Sequence, residues 1–517
     1  MAALFSLRRS YCLFVALLVS VDIFSAWSQA PSSAEQRTIV ALRRAAANPL
    51  RLRAFLVGMP KGGELHFHLT GAVYAESILR DAAEDNLCVN VAAHKLEPHQ
   101  GIAAPGPHPI ICAPGSIAAA DLPSDQKDYD AIIDAWSIRS FVPSSGISGH
   151  DHFFSSFLRA GIDRRHLGEW LDEVASRATV QNEQYLEIQI ATPSPNALRV
   201  AQEVDWNPDM ATLRKAMLDL GLRDDIAIGR ADLDQMEATR NAREHCGTPQ
   251  AEPGCHVLIR YLYVVGRGYP PAHVFAQALL AFELASADPR VVGINFAQPE
   301  DGDLSMVEYH RQMEMVGFLH SIYPRVHISL HAGELAFGMV PPEGLRFHIR
   351  EAVEIAHAER IGHGVDVMDE DHPLELLAEM ARKHVMVEIN LTSNDVILGV
   401  KGKDHPLPLY IAAHVPVALS TDDEGVSRID LTHEYVRAVT DFGLTYLDLK
   451  RFARTSIERS FLPGADLWAH QDDFTQRTTA CAHSSSAECA TFLRSSLKAQ
   501  QEWELEQRFT AFEAQRP

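Results

Sequence analysis

This 517-residue chain is short of positive charge. Its 46 lysines and arginines face 68 aspartates and glutamates, a formal net charge of −22. A nucleic-acid partner would need a basic face, so that class of function is disfavoured. The balance suits a soluble protein acting on a neutral or cationic small molecule, although net charge does not choose a reaction. The chain is also poor in cysteine, with seven residues. None are spaced Cys-x-x-Cys, so a cysteine-based zinc site lacks its signature. Apart from the N-terminal segment, no run is apolar and long enough to span a bilayer. No tandem repeat occurs.

What is present at the N-terminus reads as an export signal over 1–30. Arg8 and Arg9 precede the apolar run Tyr11–Val21, and small residues follow at Ala26, Ser28 and Ala30. The alternative is an uncleaved membrane anchor, which the shortness of the run disfavours. The expected localisation is therefore exported, periplasmic or secreted, with no membrane association after signal removal. Cys12 falls inside the signal. The other six cysteines form local couples, 88/112, 246/255 and 481/489; an exported chain favours disulfides, and of the fifteen pairings that six cysteines permit, sequence proximity favours these three.

Eight short, apolar runs read as strands: Glu64–Leu69, Tyr185–Ile190, His256–Val265, Val291–Phe296, Val326–Leu330, Arg360–Gly364, Val385–Leu391 and Val415–Leu419. Helical periodicity fills the gaps, as in Pro342–Ala358 and Pro373–Lys383. Strands alternating with helices imply a parallel sheet, and eight of them imply an α/β fold of the (β/α)8 TIM-barrel type over about 31–470. An open doubly wound sheet is the alternative, but no Gly-x-Gly-x-x-Gly follows the first strand. A Pro-, Gly-, His- and Ala-rich stretch, about 84–150, reads as an insertion after the first strand. The segment 471–517 reads as a helical extension. Within it Leu493, Leu497, Leu505, Phe509 and Phe512 share a face that packs on the barrel.

The candidate chemistry sits at predicted strand ends. His66 and His68 are two apart on a strand and so face the same way. His331, in His331-Ala332-Gly333-Glu334, closes the fifth run. Asp422, in Ser420-Thr421-Asp422-Asp423, closes the eighth. A barrel gathers such ends at one face. Three imidazoles and a carboxylate suit a borderline divalent ion such as Zn²⁺, one per chain, with an open position for water. His150-Asp151-His152 repeats the His-x-His spacing, but in a loop-like Gly/Ser context, and is not read as a ligand pair. His327 is expected to pack or hydrogen-bond inside the barrel.

Together, Met59-Pro60-Lys61-Gly62-Gly63-Glu64-Leu65-His66-Phe67-His68, His331-Ala332-Gly333-Glu334, Arg360-Ile361-Gly362-His363-Gly364, Leu391-Thr392-Ser393-Asn394 and Leu419-Ser420-Thr421-Asp422-Asp423 resemble the adenosine deaminase family. They come in the family's order. The exported start and the early insertion resemble its secreted, growth-factor-like members. The resemblance implies a hydrolase acting on a cyclic amidine C–N bond, converting adenosine, and 2'-deoxyadenosine, to inosine and ammonia. It implies that Glu334 protonates the purine N1, which requires burial to raise its pKa. It implies that His363 orients the attacking water and helps move its proton. Asp423 holds that water or contacts N7. The partner is a small-molecule purine nucleoside, and an oligomer is compatible with the sequence.

Two departures touch the sugar side. Many relatives read His-x-His-Leu-Asp-Gly, where this chain has Thr70; a threonine holds a ribose hydroxyl more weakly than an aspartate. Relatives also carry a glycine whose backbone N–H meets purine N3. Here Gln298 keeps the N–H, but only glycine takes positive φ without cost. Thr70, Gln298 and Asp423 are therefore the candidate substrate contacts. The alternatives are a deaminase of a modified or phosphorylated adenine compound and a binding or signalling protein that keeps the fold.

Overall fold

The computed structural model describes residues 32–98, 110–144, 146–161 and 164–515. The export signal expected over 1–30 lies outside them.

Each predicted run overlaps one strand of a single eight-stranded sheet. The strands are β1 (Gly62–His68), β2 (Glu183–Ile190), β3 (Leu258–Gly266), β4 (Val291–Ala297), β5 (His327–Ala332), β6 (Arg360–His363), β7 (Met386–Ile389) and β8 (Val417–Leu419). Each is parallel to the next. β8 comes back to β1 just beyond its last residue. Asp422 N–H donates to His66 O at 3.1 Å, and His68 N–H donates to Asp422 O at 3.0 Å. Phe67 and Asp422 form the bridge that completes the barrel. Helices cover the outside, so the strands are buried on both faces and read as apolar runs.

The barrel interior is not wholly apolar. Arg360 on β6 is buried between two carboxylates, with Nη2 2.6 Å from Glu187 and Nε 2.7 Å from Glu388. Its guanidinium lies over the Phe461 ring, 3.8 Å from the centroid. A buried guanidinium needs this kind of double pairing to offset its desolvation.

Boundaries shift where side chains compete with the backbone pattern. His256 leaves the third strand because Pro253–His256 forms a 3₁₀ turn beside the Cys246–Cys255 disulfide. Pro342–Ala358 is not one helix. A 3₁₀ turn, Pro342–Leu345, and a helix, His348–Glu354, are separated at Phe347, whose backbone (φ −150°, ψ −9°) is not helical. Pro373–Lys383 is helical as read. Two helices rather than one end the chain, Ala487–Ser495 and Leu497–Ala514. Ser496 breaks them, because its hydroxyl caps Ala499 N–H at 3.1 Å and donates to Ala465 O at 2.7 Å. Leu505, Phe509 and Phe512 join the main core, whereas Leu493 packs on a small cluster around Leu467 and Trp468. His327 sits at the start of β5, half-exposed. It stacks on Phe461 and pairs with Glu359 at 2.9 Å, so it lies at the barrel's rim and not in its interior.

The three cysteine couples are disulfides, Cys88–Cys112, Cys246–Cys255 and Cys481–Cys489. In the stretch after β1, the first of these ties a three-stranded antiparallel sheet of Cys88–Asn90, Lys95–Glu97 and Ser116–Ala118. Helix Gly149–Ala160 then crosses the barrel mouth to helix Leu391–Leu398, which follows β7. Gly149 allows that approach: a Cβ there would stand 1.8 Å from the carbonyl of Val396. His150 meets Asp301 across the mouth at 3.1 Å. His152 turns back to the carbonyls of Asp134 and Ser137.

Candidate active site and metal centre

The strand ends gather four donors at one point. His66 Nε2 and His331 Nε2 are 3.1 Å apart, and His68 Nε2 and His331 Nε2 are 3.3 Å apart. Asp422 Oδ1 lies 3.4 Å from Nε2 of both His66 and His68. A tetrahedral ion with bonds of about 2.0–2.1 Å sets its ligands about 3.3–3.4 Å from one another. The four donors therefore fit a single small divalent ion.

The tautomers point the same way. His66 Nδ1 is 2.7 Å from Glu388 Oε2, and His331 Nδ1 is 2.8 Å from Asn295 Oδ1. Both oxygens accept, so in the neutral rings both protons sit on Nδ1 and both Nε2 lone pairs face the centre. Two bare nitrogens at 3.1 Å repel unless a positive charge lies between them. Burial holds His68 down to about 4 and His331 well below the usual range. His66 is pushed up to about 10; burial opposes this, but Asp422 and Glu388 outweigh it. Without an ion, a proton on His66 supplies the charge that the cluster requires. Asp422 is held well below the usual carboxylate range, its burial outweighed by the hydrogen bond from His66 and by the histidines around it. Its Oδ2 accepts from Ser393 Oγ at 2.8 Å.

Beside the four donors stand Glu334 and His363. Glu334 Oε1 is 3.7 Å from His363 Nε2, which is 4.0 Å from Asp422 Oδ2. His363 Nε2 is buried with no hydrogen-bond partner, and its Nδ1 faces Asn394 Nδ2 at 2.9 Å. Glu334 is placed by its own backbone. Glu300 accepts the N–H groups of Gly333 at 3.0 Å and Glu334 at 2.8 Å. Glu300 stays ionised, lowered to about 2, because His348 and Arg267 overcome its burial. Glu334 moves the opposite way. Burial first, then the charges of Asp422 and Glu300, raise it well above the carboxylate range. Burial and neighbouring charges thus drive the two carboxyls in opposite directions.

Asp423 is also raised, by burial and by Asp422. It occupies the space that Gly71 leaves, since a Cβ on residue 71 would stand 1.5 Å from Asp423 Oδ1. Thr70 is half-buried on the short helix Leu69–Ala72 that follows His68. Gln298 takes φ +81°, the left-handed backbone expected of a glycine there. Its side-chain Oε1 accepts from Gly268 N–H at 2.8 Å, which ties the amide aside. His363 and Asp422 are also left-handed, at φ +71° and +64°. Non-glycine residues in this region concentrate at functional sites, where surrounding structure holds the strain.

The structure therefore brings together His66, His68, His331, Asp422, Glu334, His363 and Asp423, while His150 and His152 lie elsewhere. Sequence reading passed over Glu388, Asn295 and Glu300. A signal for Glu388 existed: an acid inside the apolar run Val385–Leu391 is buried, and a buried charge needs a partner. Glu388→Gln is expected to weaken metal binding by about 10–100-fold. Titration calorimetry with Zn²⁺ checks this, and an unchanged affinity would detach Glu388 from the site.

The family model for adenosine deaminase matches residues 196–469. An adenosine deaminase of Clostridium perfringens (strain 13 / Type A) is 35% identical over 135 residues, 26% of this chain and 37% of that protein. The chain thus spans little more than a third of the curated relatives it matches. Among solved structures, Arabidopsis ADAL complexed with IMP superposes with a TM-score of 0.52 and 18% identity, over 88% of this chain and 99% of that one. An amidohydrolase from Burkholderia ambifaria with bound Zn also gives 0.52 and 18%, over 90% and 95%. At such identities the superpositions show a shared barrel fold. The chain belongs to the adenosine deaminase family.

Proposed function

We propose that this protein is a zinc-dependent hydrolase that deaminates adenosine and 2'-deoxyadenosine, adding water and releasing ammonia and the 6-oxopurine nucleoside. One observation carries the reading: a buried carboxyl, Glu334, raised by its burial and by the charges of Asp422 and Glu300, stands beside a four-donor cation site. Water addition to C6 loads electron density onto N1, and a proton delivered there stabilises it. His66, His68, His331 and Asp422 would hold Zn²⁺, which when bound lowers the pKa of water and so supplies hydroxide near neutral pH.

The remaining steps belong to side chains. Glu334 gives its proton to N1; of the attacking water's two protons, one recharges Glu334 and the other passes to the C6 amino group, which leaves as neutral ammonia as the C–N bond breaks. Asp423, held protonated by burial and by Asp422, donates to the N7 acceptor. The left-handed backbone of Gln298 aims its N–H at N3. Thr70 reaches the ribose. The identity of the curated relatives and the Zn in one solved neighbour support this reading.

Gly71→Ala is expected to lower turnover by about 100-fold, because the new methyl group displaces Asp423 and a shift of about 1 Å in a reacting group costs that much. Metal content should not change; kinetics and metal analysis on one sample separate the two.

A second reading, deamination of a phosphorylated or modified adenine compound, is favoured by the neighbour complexed with IMP and by Thr70, which removes a carboxylate from the sugar side. Zinc-loaded protein is assayed with adenosine, deoxyadenosine, AMP, N6-methyl-AMP and adenine while ultraviolet absorbance and ammonia are followed. Highest kcat/KM on the nucleosides supports the first reading, and highest on the monophosphates supports the second. No turnover of any would sink both. We also place the protein outside the cytoplasm: the N-terminal segment has the pattern of an export signal, and three disulfides suit an oxidising compartment.

A further inference from the structure

We propose that His405 and Asn394 are positioning residues that set the tautomer of His363, so that His363 enters the site as a neutral Nε2–H donor and not as a proton acceptor. A backbone amide fixes the direction of the first hydrogen bond in the chain. Leu407 N–H lies 3.1 Å from His405 Nδ1 and can only donate. His405 Nδ1 therefore accepts, and the single proton of the neutral ring is on Nε2. That Nε2 is 3.0 Å from Asn394 Oδ1.

The donation orients the Asn394 amide. With Oδ1 turned to His405, Nδ2 is the atom 2.9 Å from His363 Nδ1, and it donates. Asn390 Nδ2 lies 3.5 Å from the same nitrogen and works in the same direction. His363 Nδ1 is thus an acceptor, so its proton is on Nε2. Each link leaves the next a single choice.

Burial keeps the chain in this state. His405, Asn394 and His363 are all at most 2% exposed. Burial lowers His405 to about 4, so its ring is neutral near pH 7. A second proton on His405 would face the Leu407 N–H, and one on His363 would face the Asn394 amide. The His363 Nε2–H then points between Glu334 Oε1 at 3.7 Å and Asp422 Oδ2 at 4.0 Å, too far to donate well to either. It serves an oxygen bound between them. This divides the labour: His363 orients that oxygen, and proton acceptance falls to Glu334 once its own proton has gone to N1. It narrows the role that resemblance implies, in which His363 also moves a proton.

That this donor acts in deamination rests on the function proposed above; the tautomer does not. Neutron diffraction from deuterated crystals of the zinc-loaded protein should show deuterium on His363 Nε2 and none on Nδ1. Deuterium on Nδ1 would overturn the proposal whether or not the protein is a deaminase. In Asn394→Asp the new carboxylate can only accept, so deuterium should appear on His363 Nδ1. The loss of a fixed neutral donor should lower kcat by about 100-fold, as for removal of one aimed donor, with less change in KM. His405→Gln keeps a side-chain N–H for Asn394 Oδ1 and should restore most of the activity that His405→Phe loses. Equal losses in those two variants, or an unmoved proton in Asn394→Asp, would reduce Asn394 and His405 to packing.

Discussion

Glu334→Gln should leave a folded protein that binds zinc as tightly as before and deaminates adenosine about 10²–10⁴-fold more slowly, the usual contribution of a positioned acid. Glutamine matches the shape of a protonated glutamate and offers an N–H, but that hydrogen cannot be transferred. The loop would not move, because its anchors are backbone: Gly333 and Glu334 N–H groups both donate to Glu300. The substitution therefore removes one transferable proton and little else. Burial, Asp422 and Glu300 all act to keep that proton in place. Single-turnover kinetics measure the chemical step, and metal analysis of the same sample reports the site. Activity near that of the native enzyme would move the acid to Asp423, the other buried carboxyl raised by its surroundings.

Stripping the metal should abolish turnover, and zinc alone should restore it. His66→Ala and Asp422→Ala should each prevent recovery. The Asp422 variant is the cleaner test, since the barrel closes through Asp422's backbone and not its carboxylate. Metal binding is also a stability term. When free zinc exceeds Kd by 100-fold, the native state gains about 2.7 kcal/mol by mass action. Thermal unfolding of stripped native protein should therefore shift upward on addition of zinc, while both variants show no shift. An unaltered shift in Asp422→Ala would place the ion elsewhere. The group Asp81, Glu84, His166 and Glu169 would then be examined by substitution, since its donor atoms also lie together.

Much of the barrel was legible before any fold was known. The eight runs are apolar because helices cover one side and the packed interior the other, and that burial leaves a compositional trace. The cysteine couples were legible because the partners are close in sequence, with separations of 24, 9 and 8 residues. Less visible were places where one side chain redirects the backbone. Ser496 splits the C-terminal helix by capping Ala499, and Phe347 interrupts Pro342–Ala358. Helical periodicity runs through both points, and only local hydrogen bonding reveals the break. Gln298 shows the converse. Its residue type disfavours positive φ, yet the fold holds it at +81° with its amide bonded to Gly268.

At the site itself the division follows distance along the chain. Donor type and the i, i+2 spacing of His66 and His68 are local properties, so the sequence alone pointed to a candidate metal site. It determined the family through motifs each only a few residues long. Which nitrogen carries a proton, which carboxyl is charged and which ring faces which oxygen depend on partners far away. His66 meets His331 across 265 residues and Glu388 across 322. Protonation states are set by burial and by charges within a few ångströms, and only the closed barrel brings those groups together. Tertiary structure alone decided that the pKa of Glu334 is raised, that the pKa of Glu300 is lowered, and that the Asn394 amide turns its Nδ2 to His363 Nδ1.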